Sequence, residues 1–344
     1  MKLWWMGLLA LLVACSEVPQ QAVVELVYAT PYGAAHPFSQ ADQAWIDFVE
    51  ERSGGTLRIR PSWSGALLSS EHSMLELRHG VADIGLITPI YVKGGTHLIR
   101  LQSGFYSGTS TMQQQLALYR CLEASSPQFA AELQGLKVLA VQGGSLPGII
   151  TTERPLATLA DLQGLRIRGP TELLGVLEAL GADPVNMPMG DVYSALAKGV
   201  LDGVVAPTDT FRALHFADVA DHYLQMVIPR GAYPARAMSQ ARFDALSPAH
   251  QQVLEEGRSI WESALIDKNS VALEDGLALA RAEGVTFTTL PAEDQRTFDA
   301  LYLSIAEENA ASLSRYGIDG ASVFAASRRS VRPDGSVTCS EGGH

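Results

Sequence analysis

Leu159–Pro207 reads LADLQGLRIRGPTELLGVLEALGADPVNMPMGDVYSALAKGVLDGVVAP, and the order of apolar runs and breakers in it decides the fold. Arg166, Ile167 and Arg168 alternate as a short strand does, and Gly169-Pro170 ends that strand. A helical pattern from Pro170 to Leu180 stops at Gly181, a second from Val192 to Lys198 stops at Gly199, and Asp202-Gly203 turns into the apolar strand Val204–Ala206. Strand, helix and strand in this rhythm predict an α/β chain. The period of two puts Arg166 and Arg168 on one face of their strand. One is expected to cap the turn at Asp161, and the other to present a cation to a cleft.

The same rhythm extends outward. Val23–Tyr28, Leu57–Arg60 and Asp83–Thr88 read as strands, with helices His36–Ser53 and Ser70–His79 between them. A helical region from Thr111 to Leu133 leads to strand Lys137–Val141, and Gly143-Gly144-Ser145 with Pro147-Gly148 breaks the chain before strand Ile149–Thr152. The first passage into a second domain is placed there. Later, Ser247 caps a helix with Pro248 at its first position, and nothing strong interrupts it before Gly284. Such a helix would be about 55 Å long at ~1.5 Å per residue. A lobe of roughly 150 residues is only about 40 Å across. The helix therefore serves both lobes of a hinged clamshell, unless Asp267-Lys268-Asn269-Ser270 kinks it.

Met1-Lys2 and the apolar run Leu3–Ala14 form a segment too short to span a bilayer and read as a signal peptide over residues 1–14. Leu12-Val13-Ala14-Cys15-Ser16 resembles a bacterial lipobox, which makes Cys15 a lipidation site and residues 15–22 a tether. A plain secretory signal is the alternative, and it leaves the thiol at that point without a reason. The rest of the chain carries no long apolar segment. Of 344 residues, 47% are hydrophobic and 18% charged, enough for the cores of two domains. A formal charge of −12 argues against nucleic acid as a partner and requires any anion to bind through a local cationic site. Cys121 and Cys339 remain, either as a disulfide that pins the C-terminal tail or as two free thiols.

The chain resembles the DctP-type solute-binding proteins of tripartite ATP-independent periplasmic (TRAP) transporters from about Val23 to Gly317. The likeness rests on DLQGLRIRGP, LGADPVNMP and DVYSALAKGVLDG, supported by EERSGGTLRI, LELRHGVADIG and RFDALSPAHQQVL. It implies an α/β, periplasmic-binding-protein-like clamshell of two mixed-sheet lobes bridged by a long helix. The expected division is lobe I from 23–147 with 232–268, lobe II from 148–231 with 269–325, and a tail from 326–344. It further implies that Arg168 is the partner of a ligand carboxylate, to which a guanidinium offers two parallel N–H donors. By the family pattern Thr30, Thr88, Thr171, Met189 and Ala206 fall at ligand-contacting positions, while Tyr91, Asp209, Phe211 and Tyr233 are candidates by their place in loops or at strand ends. Many relatives carry asparagine at the position of Ala206 and a second arginine near that of Pro147-Gly148. Their loss, with Met187, Met189, Val204 and Val205 nearby, shifts the expected ligand toward a monocarboxylate with an apolar or aromatic body. The same methionines and valines also read as ordinary core.

The implied function is capture of an organic carboxylate in the periplasm, from a membrane-anchored position, for delivery to TRAP permease subunits, with no cofactor, metal or nucleic acid. A ligand-sensing subunit of a membrane receptor is the alternative, and a periplasmic hydrolase a more remote one. His215, Asp218 and His222 have a spacing that could hold a metal on one helix face, but the same spacing suits a solvated face. Gly143-Gly144-Ser145 lacks the lysine of a phosphate loop and reads as a turn. Ser194 and Lys198 stand one helical turn apart without the partners of a nucleophile and base.

Overall fold

The computed structural model describes residues 22–339. The expected signal peptide and the Cys15 lipidation site lie outside the described residues. Two mixed sheets form the frame. The first orders β2 (Leu57–Ser62), β1 (Val24–Ala29), β3 (Ile84–Leu86), β10 (Tyr233–Ser239) and β4 (Leu136–Gln142) side by side. The second orders β11 (Thr286–Thr289), β9 (His222–Gln225), β5 (Gly148–Thr151), β8 (Gly203–Ala206), β6 (Arg166–Arg168) and β7 (Asp183–Val185). In the first, β1 runs parallel to β2 and β3, and β10 antiparallel to β3 and β4. In the second, β6 runs parallel to β7 and β8, and β5 antiparallel to β8 and β9. The chain passes between sheets after β4, returns after β9, and passes again through the helix Pro248–Ala282.

That helix is continuous over 35 residues and starts at Ser247, whose hydroxyl accepts from the His250 amide at 3.2 Å. The polar stretch Asp267–Ser270 does not kink it. The Asn269 amide turns inward to Ser145 Oγ at 3.4 Å, and Ser270 Oγ donates to the Ile266 carbonyl at 2.8 Å. Two glycines fit it to its neighbours. A Cβ at Gly257 would meet Trp45 Nε1 at 2.7 Å, and one at Gly276 would meet the Thr208 carbonyl oxygen at 2.1 Å and Asp209 Cα at 2.8 Å. The first glycine faces the helix Pro37–Arg52 beside the first sheet; the second faces the loop that follows β8 of the other.

Beneath the first sheet lies a fully buried ion pair. Asp42 Oδ1 accepts from Arg236 Nε and Trp261 Nε1, both at 2.8 Å, and its other oxygen accepts from the Tyr28 hydroxyl. Arg236 Nη1 donates to Gln142 Oε1 at 2.9 Å, and Trp45 stacks on Trp261 at 3.8 Å. Removing either charge would leave the other in an apolar interior, which costs about 3–5 kcal/mol. The pair therefore ties β1, β4, β10, the helix Pro37–Arg52 and the long helix into one body.

Several boundaries differ from the sequence reading for local reasons. Pro127 cannot continue a helix, so the region after Thr111 splits into Met112–Ser125 and Gln128–Glu132. The expected helix Pro170–Leu180 opens as a short 3₁₀ turn, Thr171–Leu173, before Leu174–Ala179. Strand β10, YPARAMS, hides a proline and an arginine in a segment buried throughout, which no alternation pattern reveals. Cys121 and Cys339 are joined in a disulfide, closing a span of 218 residues. Among the described residues no helix is long and apolar enough to cross a membrane.

Gly276→Ala is expected to lower stability by about 1–3 kcal/mol, because the methyl would meet backbone and not a yielding side-chain tip. Gly190→Ala, at a helical position with open space around it, should leave stability unchanged or raise it by up to about 1 kcal/mol. Thermal unfolding of both variants checks the contrast.

Candidate ligand-binding site

The carboxyl ends of the parallel strands of both sheets converge on one cavity, where an open α/β sheet collects ligand-facing side chains. Tyr32 follows β1; Thr88, Ile90 and Tyr91 follow β3; Arg168 ends β6; Met189 follows β7; Pro207 and Asp209 follow β8. The remaining wall includes Pro147 on one link between the sheets and Ile228–Gly231 on the other. Measured as space open to the centre of a water molecule, the cavity holds about 110 Å³. One water needs roughly 10–15 Å³ on that measure, so the space suits a single small organic molecule.

Arg168 is 3% exposed. Its Nε donates to the Met187 carbonyl at 3.1 Å and its Nη2 to the Tyr91 hydroxyl at 2.5 Å, while Nη1 has no protein acceptor among the described residues. The Tyr91 bond spans the cleft, since Tyr91 follows a strand of the first sheet and Arg168 ends one of the second. Thr171 Oγ1, donating to the Ile90 carbonyl at 3.2 Å, spans it as well. The companion arginine behaves differently from expectation: Arg166 does not cap the Asp161 turn but forms a two-pronged pair with Asp202, at 3.0 Å and 2.6 Å. Asp161 accepts instead from the amides of Ala157 and Thr158.

A second guanidinium, Arg230, enters the same cavity and was not singled out from sequence. Its Nη1 reaches toward the Ser145 carbonyl at 3.4 Å. Gly144 makes room for it, because a Cβ there would lie 2.2 Å from Arg230 Cζ. Gln115 fixes that glycine on both sides, donating to its carbonyl at 2.9 Å and accepting from its amide at 2.8 Å. The Gly-Gly-Ser segment, read as a turn, is thus the seat of an arginine that arrives from Ile228–Gly231.

Two carboxyl groups share the cavity. Burial pushes Asp209 up to about 6, against the opposing pull of Arg230, and its Oδ1 is buried without a hydrogen-bond partner. Burial likewise raises Glu172, opposed by its own backbone amide, the Ser103 hydroxyl, Arg230 and Arg168, and its Oε2 is buried without a partner. His36 is pushed down to about 3 by burial and then by the Arg236 charge, so its ring is neutral at ordinary pH. Its Nδ1 accepts from the Phe38 amide at 3.2 Å, which places the proton on Nε2. Tyr32 stacks on it at 4.0 Å and is held protonated by burial. Phe38, Ile90, Leu173, Met189, Val205 and Ile228 complete an apolar surround.

Of the residues expected from sequence, Arg168, Thr88, Tyr91, Met189, Asp209 and Tyr233 line this cavity. Thr88 spends its hydroxyl on the Ser70 carbonyl. Thr30 is buried at the end of β1, and Thr171 makes the cross-cleft bond already described. Ala206 and Phe211 belong to the apolar cluster behind the second sheet, where Phe211 packs edge-on to Tyr223 at 5.8 Å. Arg230, Glu172, His36, Tyr32 and Tyr302 line the cavity without having been anticipated. The imagined helix face of His215, Asp218 and His222 does not exist: His215 has φ of 59°, Asp218 ends a 3₁₀ turn, and His222 starts β9. Among the described residues no cluster suited to a metal ion occurs.

Comparison with known proteins bears on this architecture. Residues 28–312 match DctP, the bacterial extracellular solute-binding protein family 7. The 2,3-diketo-L-gulonate-binding periplasmic protein YiaO of Escherichia coli K12 is 24% identical over 253 residues, covering 72% of this chain and 76% of that protein. A TRAP solute-binding protein of Rhodoferax ferrireducens, solved with copurified benzoate, superposes with a TM-score of 0.80 at 23% identity, over 89% of this chain and 97% of its own. A TRAP periplasmic solute-binding protein of Bordetella bronchiseptica, solved with (R)- and (S)-mandelate, gives 0.78 at 20% identity, over 89% and 98%. The two-lobed fold expected from sequence is therefore the fold of these structures.

The Asp209 shift carries a signed consequence. Its folded-state value lies above the ordinary carboxylate value of 3.8, so its contribution to stability is full below that value and is lost as pH rises through about 6. Asp209→Asn removes that loss. In ligand-free protein the variant should gain on the parent by on the order of 2 kcal/mol between about pH 4.5 and 7.5, read from chemical unfolding at each pH.

Proposed function

The chain belongs to the DctP family of bacterial extracellular solute-binding proteins, and from that premise we propose that it captures a small organic monocarboxylate with an apolar or aromatic body. The carrying observation is Arg168: a guanidinium buried at the cleft, anchored through Nε and Nη2, with Nη1 left without a partner among the described residues. A carboxylate supplies that partner. Arg230 adds a second cation in the same space, a contact independent of the position near Pro147 where many relatives place their arginine. Phe38, Ile90, Met189, Val205 and Ile228 supply the apolar surface. The benzoate and mandelate of the two solved relatives are acids of this kind.

Magnitudes favour such a ligand. A charge-assisted hydrogen bond contributes about 1.5–3 kcal/mol, whereas micromolar binding needs about 8. Burying roughly 150–250 Å² of an aromatic body adds about 4–6 kcal/mol in gross terms, before the entropy lost on association. Orientation thus comes from the arginine and much of the affinity from the walls. Closure follows from the same contacts, because only the state that brings the two strand-end clusters together touches the ligand from both sides.

Within this reading, lobe I comprises 23–147 with 232–268, lobe II comprises 148–231 with 269–325, and 326–344 is the tail. The bound acid is handed to the membrane subunits of a TRAP transporter. Cys15 carries the lipid that holds the protein at the membrane, and the tether gives the clamshell its reach.

Arg168→Ala should reduce affinity for a bound monocarboxylate by at least about tenfold, and Arg168→Lys should not restore it, since an ammonium cannot match the paired donors. Calorimetric titration with benzoate and phenylacetate, alongside melting curves showing a folded variant, tests this. Unchanged affinity in folded Arg168→Ala would sink the proposal.

A further inference from the structure

We propose that Asp209 forms a second ligand subsite, which takes a hydroxyl or ammonium group of the bound molecule, so that the acids recognised here carry a hydrogen-bond donor besides their carboxylate. The inference rests on the carboxylate reading of Arg168 and specifies the ligand class further.

Asp209 lines the cavity, is 5% exposed, and has Oδ1 buried with no hydrogen-bond partner among the described residues. Among the described residues its carboxylate accepts no hydrogen bond, and Glu172 Oε2 in the same cavity is likewise buried without a partner. A buried carboxylate oxygen left without a donor costs more than a hydrogen bond returns, so an orphan oxygen on a side chain that lines a ligand cavity marks a contact that the ligand completes. Its position is enforced from behind, where the close approach of Gly276 leaves the Thr208–Asp209 backbone no room to retreat. The Arg230 charge acts on both carboxylates, whereas that of Arg168 acts on Glu172.

Charge balance points the same way. Arg168 and Arg230 offset Glu172 and Asp209 when all four are ionised. A bare monocarboxylate then brings an uncompensated negative charge into an apolar enclosure, which is unfavourable. An ammonium on the ligand cancels it, and a hydroxyl satisfies the orphan oxygen and spreads its charge.

Calorimetric titration of the purified chain at neutral pH with benzoate, 3- and 4-hydroxybenzoate and 4-(aminomethyl)benzoate tests the subsite. At least one substituted acid should bind about tenfold or more tightly than benzoate. Asp209→Leu keeps the side-chain shape and removes the acceptor, so the preference for the substituted acid over benzoate should shrink to within about twofold. Asp209→Asn, a second folded variant, distinguishes the donors: a preference for the ammonium should vanish, whereas one for a hydroxyl should persist in part. Equal binding of benzoate and its substituted forms, or a preference that survives Asp209→Leu, overturns this inference alone. Binding of none of these acids removes the carboxylate reading and the subsite together.

Discussion

A guanidinium held away from water with one donor arm empty is the constraint around which the rest of the molecule is arranged. An arginine cannot shed its charge, so Arg168 must be compensated where it stands. Protein supplies part of the compensation through the Met187 carbonyl and the Tyr91 hydroxyl. Both bonds fix the plane of the guanidinium, so its open edge is oriented in advance. Because Tyr91 belongs to the opposite side of the cleft, the bond that positions the cation also joins the two sides.

Holding such a group in place demands rigidity behind it. The Asp42–Arg236 pair, with Tyr28, Trp261 and Gln142, locks three strands of the first sheet to two helices. The long helix then carries that rigidity past the cleft, meeting Trp45 at Gly257 and the Thr208–Asp209 backbone at Gly276. These contacts are too close for any side chain. A bend in the helix would therefore move Asp209, so the same element that connects the two sheets fixes one wall of the cavity.

The fold was legible because its signals are local. Gly169-Pro170 ends β6 and leaves Arg168 at the cleft; Ser247-Pro248 opens a helix too long for one lobe. The site was only partly legible, since a strand-end position states which residue arrives and not which way it faces. Val205 lines the cavity while Ala206, one residue on, turns into the apolar cluster behind the sheet, as alternation requires. Phe211 follows it there. Arg230 was out of reach because its place depends on Gly144, 86 positions earlier, having no side chain. Nothing in Ile228-Pro229-Arg230-Gly231 alone announces that contact. Glu172 and His36 were hidden for a related reason: each reads locally as a helix-start residue, and only the packing of one sheet's loops on the other's turns them toward the cavity.

The chain as a whole carries −12 charges, yet its cavity presents two guanidinium groups. At physiological salt, exposed charges are screened beyond about 8 Å, so the acidic surface weakly repels an arriving anion and does not steer it. Inside the cleft that screening is lost, and the field is set by Arg168, Arg230 and the two carboxylates among them. On the proposed function, selectivity arises after encounter, when a small acid is desolvated against apolar walls and either does or does not complete the hydrogen bonds left open there. An anion with charge alone, such as chloride, gains little from Phe38, Ile90 or Val205, and cannot span from the open arm of Arg168 to the Asp209 carboxylate. The net negative surface and the cationic cleft are therefore not in conflict. The first sets a modest barrier common to all anions, and the second, acting only at contact distance, decides among them.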